Sequence, residues 1–143
     1  MNTQNATEYF LEDTKVNVKL KLAALWTSSM FLYIYVDYFH LYMPGQMDDI
    51  LKGKVFVFDI TQGFLLVALI SMSIPTLMIF LSVVLPAKVN RWANIISAAV
   101  FIPYVLFNLA GLAWTHMVLA AAVEVVLLCL IIRYAWKWPR TEA

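Results

Sequence analysis

Between Ile60 and Leu85 the chain runs for 26 residues without a charged side chain. Three comparable runs accompany it, at about Leu20 to Met43, Trp92 to Gly111 and Thr115 to Ile132. A hydrocarbon core about 30 Å thick needs about 20 helical residues to cross it. Lipid accepts only helices or closed barrels as spanning elements. The runs are continuous rather than alternating, which excludes a barrel. The sequence therefore predicts an all-α fold: one integral membrane domain over residues 1–143, a four-helix bundle with spans at about 20–43, 60–85, 92–111 and 115–132. Composition closes the other routes. Apolar residues make up 63% of the chain and charged residues 13%, too little polar surface for a soluble domain. A net charge of +1 provides no basic face for nucleic acid.

The breaks between runs carry their own chemistry. Met43-Pro44-Gly45-Gln46 stops the first span, and Pro86, Lys88, Asn90 and Arg91 separate the second from the third. The third join has only Gly111 and Thr115 as punctuation. A single helix from Trp92 to Ile132 would be about 60 Å long, twice the bilayer, so a tight turn near Gly111 to Thr115 is required. The polar first 19 residues do not read as a signal peptide. Asn5-Ala6-Thr7 matches a glycosylation sequon, but the orientation below puts it in the cytoplasm.

Orientation follows from the flanking cations. Lys15, Lys19, Lys21, Lys88, Arg91, Arg133, Lys137 and Arg140 fall on one side, and Lys52 and Lys54 on the other. Eight against two predicts that both termini are cytoplasmic. Trp92, Trp136 and Trp138 then form the inner aromatic belt, with Tyr38, Tyr42 and Trp114 in the outer one.

Ionisable groups inside spans are costly and mark candidate sites. Asp37, His40, Asp59, Gln62, Asn108, His116 and Glu124 all fall in the outer half, while the inner half is expected to hold little beyond serine and threonine. Tyr33, Asp37 and His40 share one stripe of the first span, and Tyr104, Asn108 and Gly111 repeat that spacing on the third. Ala120, Ala121 and Ala122 leave room beside Glu124. The candidate ligand-binding set is therefore Asp37, Glu124, Asn108, Tyr33, Gln62, His40, His116 and Tyr104. Each has a plainer explanation. Asp59 also reads as a first-turn carboxylate, the histidines as solvated interface residues, and Asn108 as an interhelical hydrogen-bonding residue. Glu124 is the deepest and must be protonated or paired. Cys129 lies in an apolar run and reads as a small hydrophobe.

Several segments together resemble a known family. They are Leu25-Trp26-Thr27, Tyr33-Ile34-Tyr35-Val36-Asp37-Tyr38-Phe39, Met43-Pro44-Gly45, Val89-Asn90-Arg91-Trp92-Ala93-Asn94-Ile95-Ile96 and Tyr134-Ala135-Trp136-Lys137-Trp138-Pro139-Arg140. They resemble a family of small bacterial four-helix membrane proteins of the domain-of-unknown-function class. The resemblance implies four spans and a multi-pass location in the bacterial inner membrane; it implies no activity.

Three functions fit these residues. One is a bundle that binds or transports a small cationic or lipophilic ligand, or a proton, in a polar outer pocket. Four helices enclose little volume, so a carrier of this size is expected to act as a homodimer. The second is a redox protein that holds haem or a metal on His40 and His116, although no paired metal-ligand motif is present. The third is a structural or accessory subunit without a site. The cofactor is unknown, and the partners expected are the lipid bilayer and a small-molecule ligand. No nucleophile triad, phosphate loop or zinc-protease motif occurs in the sequence.

Overall fold

The structure is a computed structural model and describes residues 14–110 and 113–139. The sequon at Asn5, the turn residue Gly111 and the flanking Arg140 lie outside the described residues. The chain is mostly helical. Its elements are α1 (Val18–His40), α2 (Gln46–Leu51), β1 (Lys54–Val55), β2 (Phe58–Asp59), α3 (Gln62–Val84), α4 (Ala87–Phe107) and α5 (Thr115–Trp136). Of these, α3, α4 and α5 are long and apolar enough to cross a membrane, which places the chain among membrane proteins. With Lys19, Lys21 and Asp37 in its sequence, α1 is the most polar of the long helices.

Local chemistry sets the element ends. The Asn17 side chain accepts the Lys19 N–H at 2.9 Å and starts α1; Thr61 accepts the Phe64 N–H at 3.1 Å and starts α3. Pro86 cannot continue α3 but suits the start of the next helix. Hence α4 begins at Ala87 rather than at Trp92, and Lys88, Asn90 and Arg91 belong to its first turns, not to a loop. The first long helix also starts and ends earlier than the expected span. It stops at His40, because Leu41–Met43 form a turn ahead of Pro44. The following loop is not plain coil. Gly45, at φ +87°, takes a left-handed conformation that starts the short α2, and an antiparallel hairpin pairs Lys54 with Asp59 and Val55 with Phe58.

The four long helices share one core. α5 packs against α1 and α4, α3 packs against α1, and α3 meets α4 only lightly. Trp26, Phe101 and Tyr33 form its aromatic spine, with ring centroids 6.4 Å apart for Trp26–Phe101 and 6.3 Å apart for Tyr33–Phe101. Leu22, Leu128, Ile131 and Ala135 close the end where α1 begins and α5 finishes, the terminal end of the bundle.

That end holds a polar network the sequence reading did not expect. Asn90 and Asn94 are fully buried, one helical turn apart on α4. The Asn94 carbonyl oxygen accepts the Trp26 indole N–H at 2.8 Å and the Ser82 hydroxyl at 3.1 Å. Its amide donates to the Asn90 backbone carbonyl and to the Asn90 side-chain oxygen, at 2.9 and 2.6 Å. The Asn90 amide donates to the Ser82 carbonyl at 2.6 Å, and the Lys19 ammonium to the Val83 and Leu85 carbonyls at 3.1 and 2.8 Å. These donors satisfy the carbonyls that α3 leaves open at its C-terminus. The expectation of a nearly apolar inner half is therefore corrected: Asn90, assigned to a loop, and Asn94, in the expected third span, both lie buried inside the bundle.

Candidate functional site

A cavity opens between α1, α4 and α5 towards the opposite end of the bundle, the end formed by the last turns of α1 and α4 and the first turns of α5. Tyr33 and Glu124 make its floor, with 7% and 5% of their surface exposed. Asp37, Tyr104 and Asn108 stand at its rim and are exposed. Val105, Met117, Ala120 and Ala121 supply apolar walls, and Met72 reaches in from α3. Helical spacing explains the convergence. Tyr33 and Asp37 are one turn apart on α1, as are Tyr104 and Asn108 on α4. The small side chains of Ala120 and Ala121, one turn before Glu124 on α5, leave the space.

The cavity measures about 40 Å³. A site needs about 10–15 Å³ on this measure to hold one water molecule, whereas small-molecule pockets run to roughly 300–1,000 Å³. The space thus suits an ion with a water or two. All its polar groups carry oxygen, apart from the Asn108 amide nitrogen, and this donor type suits hard cations. The Tyr33 hydroxyl is buried in the floor with no hydrogen-bond partner. Buried hydroxyls ordinarily have one, so this group stands ready for an occupant. Among the described residues the single ion pair is Lys54–Asp59 at 3.0 Å, on the exposed hairpin, so no lysine or arginine there pairs with Glu124 or Asp37.

Of the eight candidates, the structure brings five together at this cavity: Asp37, Glu124, Asn108, Tyr33 and Tyr104. Gln62 is the exposed first residue of α3 and is not among the lining residues. The His40 ring nitrogen Nε2 hydrogen-bonds to Gln46 at 2.9 Å, against α2. His116 borders a separate, open recess with Phe39, Tyr42, Met43 and Trp114, and its buried Nε2 has no partner. Asp59 lies on the hairpin rather than in the first turn of a span. Among the described residues no group of three or more His, Cys, Asp and Glu side chains is placed to hold a metal ion.

A family model of a family of unknown function matches residues 10–143. The chain belongs to the DUF6326 family. No curated protein and no solved structure matches it. Membership of DUF6326 carries no activity with it, so the cavity's own chemistry has to carry the functional reading of this member.

Proposed function

We propose that this chain is a four-helix protein of the bacterial inner membrane, with both termini cytoplasmic, whose outer-half cavity binds a small cation or a proton on Asp37 and Glu124. The observation that carries the reading is the joint placement of a buried glutamate, an aspartate and an unpartnered tyrosine hydroxyl around about 40 Å³ of space. Two carboxylates attract positive charge, and a cation there relieves the cost of holding Glu124 away from water. The volume favours a small ion over the lipophilic ligand that the sequence also allowed.

The membrane setting has its own support. At 23 residues α1 is about 35 Å long, enough to cross beside α3, α4 and α5. Its charges sit near its ends, with Lys19 and Lys21 at one and Asp37 at the other. The cations of the flanks favour cytoplasmic termini. The network of Trp26, Asn94, Ser82 and Asn90 fills one end of the bundle and the cavity lies at the other, so cytoplasmic termini would turn the cavity outward.

Proteoliposomes test the reading. Binding is read as thermal stabilisation of the purified protein by Na⁺, K⁺, NH₄⁺ or H⁺, and transport as uptake of the same ions. Stabilisation that is lost in Asp37→Asn and Glu124→Gln supports the site, and uptake separates a carrier from a receptor. Equal behaviour of wild type and the double variant favours an accessory subunit. The haem reading keeps one observation, the unpartnered Nε2 of His116; a Soret band in the purified protein supports it.

A further inference from the structure

At the terminal end of the bundle the Arg91 guanidinium is held between two indoles. Its Cζ lies 5.5 Å from the Trp92 ring centroid and 5.3 Å from that of Trp136. This geometry fixes the planar fork across the seam between α4 and α5. The Arg91 Nε is buried without a hydrogen-bond partner. Two other basic residues here are already engaged: Lys19 holds the α3 carbonyls, and Lys21 lies over the Tyr134 ring at 5.3 Å. Lys88, one turn before Arg91, and Lys137, next to Trp136, are exposed on the same two helix ends. No Asp or Glu among the described residues lies at this end; Asp37 and Glu124 line the opposite cavity, and Asp48, Asp49 and Asp59 lie in the loop beyond it.

We propose that Arg91, clamped between Trp92 and Trp136, anchors a binding site for the phosphate of an anionic phospholipid headgroup. The two terminal –NH2 groups of a guanidinium so positioned present paired donors to phosphate oxygens, while the buried Nε stays at the indoles. Lys88 and Lys137 add positive charge beside it. α4 starts without a side-chain cap, so its first-turn N–H groups add partial positive charge at the same level. Arg91 lies about 6 Å from the start of α4, at headgroup depth for a helix that begins at the interface. The exposed rings of Trp92 and Trp136 offer apolar surface for the glycerol and upper acyl chain. Such a site would tie α4 and α5 to the anionic leaflet and hold the orientation that the flanking cations favour.

The inference rests on the membrane setting proposed above and is independent of the cation cavity. The test is native mass spectrometry of the delipidated full chain in detergent, titrated with phosphatidylglycerol, phosphatidylcholine or inorganic phosphate. The wild type is expected to prefer phosphatidylglycerol, and Arg91→Gln to lose about tenfold of that preference. Lys137→Gln removes the same charge and is expected to lose less than about fivefold. Trp136→Leu leaves the charge unchanged and is expected to lower the preference about threefold by releasing the clamp. Equal losses in Arg91→Gln and Lys137→Gln overturn the site in favour of diffuse charge. An unchanged preference in Trp136→Leu, a loss shared by phosphatidylcholine, or equal competition by free phosphate overturns it too. Failure of the wild type to bind either lipid, or equal binding of both, overturns the Arg91 site, whereas release of the chain from carbonate-washed membranes would overturn the membrane setting itself.

Discussion

Replacing Asn94 by leucine removes the centre of the buried network, and its main consequence is an orphaned indole N–H. Asn94 is fully buried and its carbonyl oxygen serves two donors from two other helices. These donors have different escapes. A serine hydroxyl can turn to the carbonyl four residues earlier in its own helix, as Ser71 and Ser73 do on α3. Ser82 can therefore recover its bond, but the Trp26 N–H is fixed by its ring. A buried donor left unpaired costs about 1–3 kcal/mol. Interhelical bonds inside membranes average about 0.6 kcal/mol and reach about 1.7. Adding the two lost bonds from the Asn94 amide to Asn90 puts Asn94→Leu at about 2–3 kcal/mol, with the leucine side chain offsetting part of the cavity. Steric trapping or SDS unfolding in bicelles reads the difference. Trp26→Phe in the same background completes a double-mutant cycle, with an expected coupling of about 1 kcal/mol or more between Trp26 and Asn94. A loss under about 0.5 kcal/mol with no coupling would refute the reasoning and demote the network to a packing feature.

Other outcomes follow from the same geometry. Tyr33→Phe removes an unpartnered buried hydroxyl and is expected to leave stability unchanged or raise it by up to about 1 kcal/mol, while weakening stabilisation by cations several-fold; a drop in stability means that the hydroxyl has a partner. Protons and cations compete for the same carboxylates, so the apparent cation affinity, measured by thermal shift, is expected to rise with pH; a flat profile contradicts carboxylate ligation. Breaking the exposed Lys54–Asp59 pair with Asp59→Asn is expected to cost less than about 1 kcal/mol and to leave cation binding intact; lost cation binding would move the site to the hairpin. In a background lacking Cys129, a cysteine at position 50 is expected to react with an impermeant maleimide in intact cells and one at position 141 not to; the reverse pattern inverts the topology.

Much of the helical frame was legible because long apolar runs leave a chain few options in lipid. Its limits were less so. Lys88, Asn90 and Arg91 read as a loop because polarity stood in for helix ends, whereas Pro86 is the real boundary: it stops one helix and starts the next. The Asn90 and Asn94 pair had a visible signal, four-residue spacing beside an apolar run, but their partners Trp26 and Ser82 are 68 and 12 residues from Asn94 and only the fold joins them. At the cavity, spacing on α1 and α4 grouped Tyr33 with Asp37 and Tyr104 with Asn108, and both pairs line it. The same spacing also added His40, and depth added Gln62 and His116; none of the three lines the cavity. α2 and the hairpin, which engage His40 and Asp59, lay in a stretch too short and polar for periodicity to resolve.

The central claim is that Asp37 and Glu124 hold a small cation in the cavity floored by Tyr33. Capacitive currents on solid-supported membranes measure this most directly, as charge displaced when Na⁺, K⁺ or NH₄⁺ is jumped at fixed pH and H⁺ is jumped separately. The account predicts a saturable displacement for at least one of these ions in wild-type proteoliposomes and its disappearance in Glu124→Gln with Asp37→Asn. A correctly folded wild type that displaces no charge for any of them, or a double variant that displaces as much as the wild type, would contradict it.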